Sequence, residues 1–360
     1  MMSRARATAA ATVALLALLP DPTRQAVAGP AILVEARSGR VLYAEDQDHQ
    51  WFPASLTKIM TAYLAFDALK AGRLKLDDTV TVSEKASLQP PSKLGLPVGS
   101  ELTVDLALRA LVVKSANDVA VMLAERIGGN EEDFVRLMND TARRLGMART
   151  RFVNANGLPV PGQVSSARDL ARLGLAVLRD FPDQNGLWAM PEVKVGKQRL
   201  RSHNHLLRTF EGADGIKTGF ICDSGFNVVA SATRDDRRLI AVVLGEPSGR
   251  DRTLRAAALL DHGFETVAWK AAFGAPTIDT LPIDPAAREA QSVRTSVVAW
   301  DCGNRRPVRK IVRKKPGAVA RKAHKPAQAA ETGSGNGATP AAALKSAAGN
   351  AQPKRRTAPQ

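Results

Sequence analysis

Phe226-Asn227-Val228-Val229-Ala230-Ser231-Ala232-Thr233 is followed, across Asp235-Asp236, by Arg238-Leu239-Ile240-Ala241-Val242-Val243-Leu244. Two apolar, β-branched runs separated by a polar turn read as a strand pair. Near the other end, Ala31-Ile32-Leu33-Val34-Glu35-Ala36 and Val41-Leu42-Tyr43-Ala44 flank Arg37-Ser38-Gly39-Arg40, which predicts a second hairpin with a Ser-Gly turn. Between the hairpins the period changes. Pro53 precedes an apolar-periodic segment, Leu56 to Leu69, that stops near Ala71-Gly72. Residues 103–127 read as two helical pieces broken at 114–117, and residues 131–145 as an amphipathic helix. A further helix opens behind Ser165-Ser166 and runs to about Leu178, and a last one spans Thr253 to His262. Hairpin, helices, hairpin, helix implies an α/β (α+β) fold: an antiparallel sheet flanked by helices, with a helical subdomain inserted between its halves. The repeated strand–helix alternation of a doubly wound parallel sheet is absent.

The two ends read differently from this middle. Residues 1–28 place Arg4 and Arg6 before an apolar run from Ala7 to Leu19, then close on Ala26-Val27-Ala28. That is the layout of a secretory signal peptide, and the run is shorter than the roughly 20 residues needed to span a bilayer. An uncleaved anchor is the alternative, and the expected mature start is Gly29. Residues 301–360 hold 14 Lys or Arg against 2 Asp or Glu, so most of the chain's +16 charge lies in this tail. Ala, Pro, Gly and Ser separate its basic clusters, a composition that cannot offset its ordering entropy by burial, and disorder is expected from about residue 316. In an exported protein such a tail would be drawn to anionic membrane or acidic wall polymer, or serve only as a solubilising extension. Nucleic acid is not an expected partner behind a signal peptide. Residues 29–263 are then the catalytic domain and 264–300 a short extension in place of a second domain. Its stretch Val293 to Trp300 alternates in short runs. Cys222 and Cys302, the two cysteines, form no zinc pattern, and a bridge between them is left open.

Three short motifs carry the chemistry. In Ser55-Leu56-Thr57-Lys58, a spacing of three puts a hydroxyl and an amine on one helical face. A serine is a poor nucleophile until a neighbour takes its proton, and a lysine can do so when burial or another cation lowers its pKa. Alone the pattern is weak, since an N-cap serine and a solvated lysine produce it by chance. Ser115-Ala116-Asn117 places a hydroxyl and a carboxamide at the helix break, and Lys217-Thr218-Gly219 begins the penultimate strand. Gly219 permits close backbone approach. The three in this order, about 60 and 100 residues apart, form the signature of penicillin-recognising serine enzymes.

Residues 30–262 resemble the low-molecular-mass penicillin-binding proteins, the serine D-alanyl-D-alanine carboxypeptidases of peptidase family S11, which share a fold with serine β-lactamases. Trp51-Phe52-Pro53-Ala54, Phe152-Val153-Asn154-Ala155-Asn156-Gly157-Leu158, Ser165 to Asp169 and Asp214 to Gly219 extend the likeness. The resemblance implies that Ser55 attacks the penultimate D-alanine carbonyl of a peptidoglycan stem pentapeptide, with Lys58 as general base. It implies that Ser115 and Asn117 pass protons and position the substrate, and that the N–H groups of Ser55 and Phe220 form an oxyanion hole. Lys217, Thr218, Gly219 and Arg252 would hold the terminal carboxylate. β-Lactams would acylate Ser55. No cofactor and no metal are implied, and His203 and His205 read as an isolated pair in a polar segment.

A class A β-lactamase also needs a glutamate to activate the deacylating water, and residues 150–170 contain none. Endopeptidase action on D-alanyl cross-links would use the same residues. A catalytically silent wall-binding protein would show an eroded motif, yet Ser55, Lys58, Ser115, Asn117 and Lys217 are all present.

Overall fold

The computed structural model describes residues 29–299 and Cys302, so the expected leader and all of the expected tail except Cys302 lie outside the described residues. β1 (Ala31–Glu35) and β2 (Val41–Glu45) form the first hairpin, and a 3₁₀ turn at Ala54–Thr57 leads into α1 (Lys58–Lys70). Then come β3 (Thr79–Thr81), α2 (Glu84–Ser87), β4 (Glu101–Thr103), α3 (Val104–Val113), α4 (Asn117–Gly128) and α5 (Glu131–Arg144). α6 (Ala167–Asp180), α7 (Asn185–Trp188), β5 (Glu192–Val195), β6 (Gln198–Arg201) and α8 (Leu206–Thr209) follow. The chain returns to the main sheet with β7 (Ala213–Ile221), β8 (Gly225–Arg234) and β9 (Arg237–Glu246), and α9 (Gly249–Ala272) closes the run.

The main sheet has the order β2-β1-β9-β8-β7 and every pairing is antiparallel. Its central strands are apolar at nearly every position because both faces are covered. Ile32, Val34, Val229, Ile240 and Val242 join the core shared with α1, α3, α4 and α6, while their neighbours Leu33, Val228, Ala230, Leu239 and Ala241 pack beneath α9. A strand alternates sides, so a sheet sandwiched between helix layers needs apolar residues at both parities. Caps fix the helix starts: Ser166 Oγ accepts from Asp169 N at 3.1 Å, and Ser248 Oγ from Asp251 N at 3.1 Å.

Two sequence expectations need correction. Lys217-Thr218-Gly219 sits in the middle of β7, the third strand from the end, because β7 is a full partner of β8 whose buried positions are partly polar. The last helix begins at Gly249 and continues through residue 263 to Ala272, so the expected end of the catalytic domain falls inside it. Described residues of the 293–300 stretch form no strand. The chain beyond α9 instead runs back over the body as an irregular strap.

That strap is held by a buried ion pair. Arg168 Nε and Nη2 reach the two carboxylate oxygens of Asp48 at 2.7 and 2.8 Å, and the same guanidinium donates to the carbonyls of Ile278, Leu281 and Pro282. Both partners are buried. Removing one charge of such a pair leaves the other stranded, at a typical cost of several kcal/mol. Asp48→Asn is expected to lower unfolding stability by about 3 kcal/mol. Urea unfolding should show this as a reduced midpoint at unchanged slope.

Candidate active site

Ser55 lies in the 3₁₀ turn rather than in the α-helix proper, and Ala54 before it has a left-handed φ of 48°. Two glycines make room for this turn. A Cβ on Gly157, whose φ is +87°, would lie 1.9 Å from the Ala54 carbonyl oxygen, and a Cβ on Gly219 would lie 2.9 Å from Pro53 O and 3.2 Å from Ser55 N. Any larger residue must push the nucleophile out of place. Gly157→Ala combines that clash with an unfavourable backbone, and it is expected to slow acylation of Ser55 by about 10²-fold or more. Labelling with a fluorescent penicillin measures this directly.

Lys58, on the first turn of α1, is almost fully buried. Its Nζ lies 3.1 Å from Ser55 Oγ, 2.7 Å from Asn117 Oδ1 and 2.5 Å from the Asn156 carbonyl oxygen. Burial pushes its pKa well below the usual lysine value and the nearby Lys217 charge pushes it further, against a smaller opposing pull from Asp118. These are the two causes that a lysine base requires. A neutral amine has two N–H bonds and one lone pair. The two carbonyl acceptors match its hydrogens and leave the lone pair facing Ser55.

The break between α3 and α4 supplies the next two groups. Ser115 adopts φ 61°, and Asn117 Nδ2 donates to the Pro90 carbonyl at 2.8 Å, which fixes its Oδ1 toward Lys58. Lys217, buried in β7, donates to Ser115 Oγ at 2.9 Å and to the Thr218 carbonyl at 3.0 Å. Burial, and then the Arg252 charge, lower the Lys217 pKa to about 7. Arg252 stands in the first turn of α9, and its Nη2 donates to the His203 carbonyl at 3.3 Å.

These groups surround one cleft of about 790 Å³. Ser55, Ser115, Asn117, Thr218, Gly219, Phe220 and Arg252 line it, while Lys58 and Lys217 stand behind the hydroxyls they contact. Among the described residues no carboxylate lines the cleft, so its charged wall suits an anion. Every expected site residue therefore converges there. His203 and His205 are not isolated, for both line the same cleft. Burial, followed by the charges of Lys217, Lys114 and Arg252, lowers the His203 pKa to about 4, so its ring is neutral at ordinary pH.

Sequence reading missed several supports. Asn156 contributes its main-chain oxygen, signalled only by the Asn-Gly pair at a tight turn. Asp118 accepts from the N–H groups of Leu94 and Gly95, pinning the loop before β4, and nothing in the motif marks that role. Asn227 joins Phe52 O to Gly245 N and so ties the approach to Ser55 to the sheet. Among the described residues, Asp46, His49 and Asp284 cluster closely enough to hold a metal. There the His49 ring bridges the carboxylates, Nδ1 facing Asp46 at 3.6 Å and Nε2 facing Asp284 at 3.7 Å, and none of the three lines the cleft.

A helix-covered antiparallel sheet, with a serine beside a buried lysine and a second lysine on the facing strand, is the arrangement shared by the penicillin-recognising serine enzymes. Within that class the chain belongs to the D-alanyl-D-alanine carboxypeptidase family, peptidase family S11, whose model matches residues 19–248. It is 40% identical over 240 residues to D-alanyl-D-alanine carboxypeptidase DacC of Escherichia coli, covering 65% of this chain and 60% of that one. Penicillin binding protein 5 from Haemophilus influenzae is similar in structure, with TM-score 0.64 and 37% identity over 66% of this chain and 71% of the other. Penicillin-Binding Protein D2 from Listeria monocytogenes, in its cefotaxime-bound form, matches with TM-score 0.61 and 32% identity over 66% and 97%. The chain spans about 60% of the length of curated relatives such as the E. coli protein.

Proposed function

We propose that this chain is a serine-type D-alanyl-D-alanine carboxypeptidase that removes the terminal D-alanine from peptidoglycan stem pentapeptides. The observation that carries the reading is the contact of Lys58 Nζ with Ser55 Oγ, at 3.1 Å, in a buried site that holds the lysine pKa down. Neutral Lys58 takes the Ser55 proton as Oγ attacks the penultimate D-alanine carbonyl. The resulting oxyanion is met by the N–H groups of Ser55 and Phe220, donors of the kind worth several kcal/mol at a developing charge. Ser115 Oγ, held by Lys217, relays a proton to the departing amine, and Asn117 orients the substrate amide. The C–N bond breaks, D-alanine leaves, and an ester remains on Ser55 until water hydrolyses it. Lys217, Thr218 and Arg252 hold the carboxylate of the leaving residue, with Gly219 giving its strand close approach to the nucleophile turn.

β-Lactams present a similar carboxylate and a reactive amide, and they would acylate the same oxygen. The relative from Listeria monocytogenes with cefotaxime bound supports that expectation. We further propose that the protein is exported and works in the cell envelope. Among the described residues no helix is long and apolar enough to cross a membrane, and contact with anionic membrane or wall polymer is assigned to the basic tail.

The test is release of free D-alanine from a stem pentapeptide by the purified full chain, beside Ser55→Ala. Release that vanishes in the variant supports the reading. Folded protein that releases no D-alanine overturns it and moves weight to cleavage of D-alanyl cross-links.

A further inference from the structure

Adjoining the cleft, a groove of about 240 Å³ that Arg252 does not line continues past Gly157, Leu158 and Ile221, which the two share. Its walls include Phe52, Pro53 and Val160, and Asp223 stands at its edge. None of the cations that would hold the leaving carboxylate lines it. A peptide whose terminal carboxylate lies at Lys217 and Arg252 would therefore send its preceding residues this way.

Asp223 lies in the short turn between β7 and β8, and the C-terminal strap grips that turn at four points. Ser292 Oγ and Arg294 Nη2 donate to its carboxylate at 2.6 and 3.0 Å, and Val293 N donates to its carbonyl at 3.0 Å. Cys222, one residue earlier, is disulfide-bonded to Cys302. Between these contacts Val298 N donates to the Pro247 carbonyl at 2.8 Å, just ahead of the Ser248 cap that starts the helix carrying Arg252. A two-stranded turn at a sheet edge has little packing of its own to fix it. Here the fixing contacts come from a segment 69 to 80 positions later in the chain.

We propose that strap residues 292–299, with Cys302, form a positioning element for this groove, setting its Ile221–Asp223 wall and so the affinity for the residues that precede the scissile bond. The ligand is the extended, largely aliphatic acyl side of a stem peptide, and the inference rests on the carboxypeptidase reading above. The strap touches neither Ser55 nor Lys58, so it acts on binding of long substrates and leaves the acylation chemistry alone. A small β-lactam meets this wall only at Ile221, which cleft and groove share, and senses the strap less than a long peptide does.

The test uses the full chain, its Cys302→Ser variant and, separately, Arg294→Gln, which keeps the disulfide. For each, kcat and KM are measured for D-alanine release from a stem pentapeptide, and the second-order rate of acylation by benzylpenicillin is measured beside them. In both variants KM should rise about fivefold, with kcat and benzylpenicillin acylation within about twofold of the unaltered protein. If Cys302→Ser does not fold, Arg294→Gln decides. Unchanged KM, or an equal fall in peptide turnover and benzylpenicillin acylation, would overturn the proposal. Absence of D-alanine release from the unaltered chain would instead bring down the carboxypeptidase reading, and this proposal with it.

Discussion

Lys58→Met is expected to slow acylation of Ser55 by about 10³-fold, within the range typical for loss of a general base. Methionine fills a similar volume but has no lone pair basic enough to take the serine proton. Stability should change far less than activity. The buried amine loses its desolvation penalty, but Asn117 Oδ1 and the Asn156 carbonyl lose a donor, at about 1–3 kcal/mol each. The two effects oppose each other. Stopped-flow acylation by a chromogenic cephalosporin, beside a thermal melt, separates them. Near-normal acylation by folded Lys58→Met would show that another group accepts the proton.

The second large effect is on the pH profile, and its sign follows from the coupling of three cations. Lys58 must be neutral to act as base, so the rate should rise with pH as it loses its proton, starting well below the ordinary lysine range. Lys217 must be charged to hold a carboxylate, so the rate should fall as pH passes about 7. The expected profile is a bell. Arg252→Gln removes the charge that lowers Lys217, so the alkaline limb should move to higher pH. It also removes a buried cation facing the substrate carboxylate, a loss of about 10²-fold in kcat/KM. Lys217→Gln acts on the other limb. Without that neighbouring charge the Lys58 pKa rises, and the acid limb should shift upward. Measured profiles of kcat/KM for the three proteins check both shifts, and limbs that stay put in both variants would contradict the coupling.

How far the sequence revealed this arrangement depends on the range of each contact. β8 and β9 announce themselves because both faces are buried, which makes Val228 to Ala232 and Leu239 to Leu244 almost continuously apolar. β7 hides because its cleft-side residues, Lys217 and Thr218, are polar yet buried for chemical reasons. The three motifs were legible since each is local, with its groups within three residues of one another. The local geometry was not. Ser55 occupies a 3₁₀ turn that depends on two distant glycines, Gly157 and Gly219, whose need appears only when backbones meet.

The strap was least legible of all. Its hold on the body runs through Arg168 and Asp48, 120 positions apart, and through main-chain bonds that carry no residue preference. The short alternating runs from Val293 onward gave no sign of their partners, for those residues bond to Asp223 and Pro247 outside any strand. The Cys222–Cys302 bridge could not be read from spacing, because 80 residues of chain allow many geometries.

The central claim is that Ser55 becomes covalently acylated through a lysine-activated attack. Mass spectrometry of the full chain after incubation with benzylpenicillin, followed by proteolysis, tests it most directly. One adduct should appear on the peptide containing Ser55, be lost in Ser55→Ala, and form far more slowly in Lys58→Met. No adduct on folded protein, or an adduct on any other residue, would contradict the account.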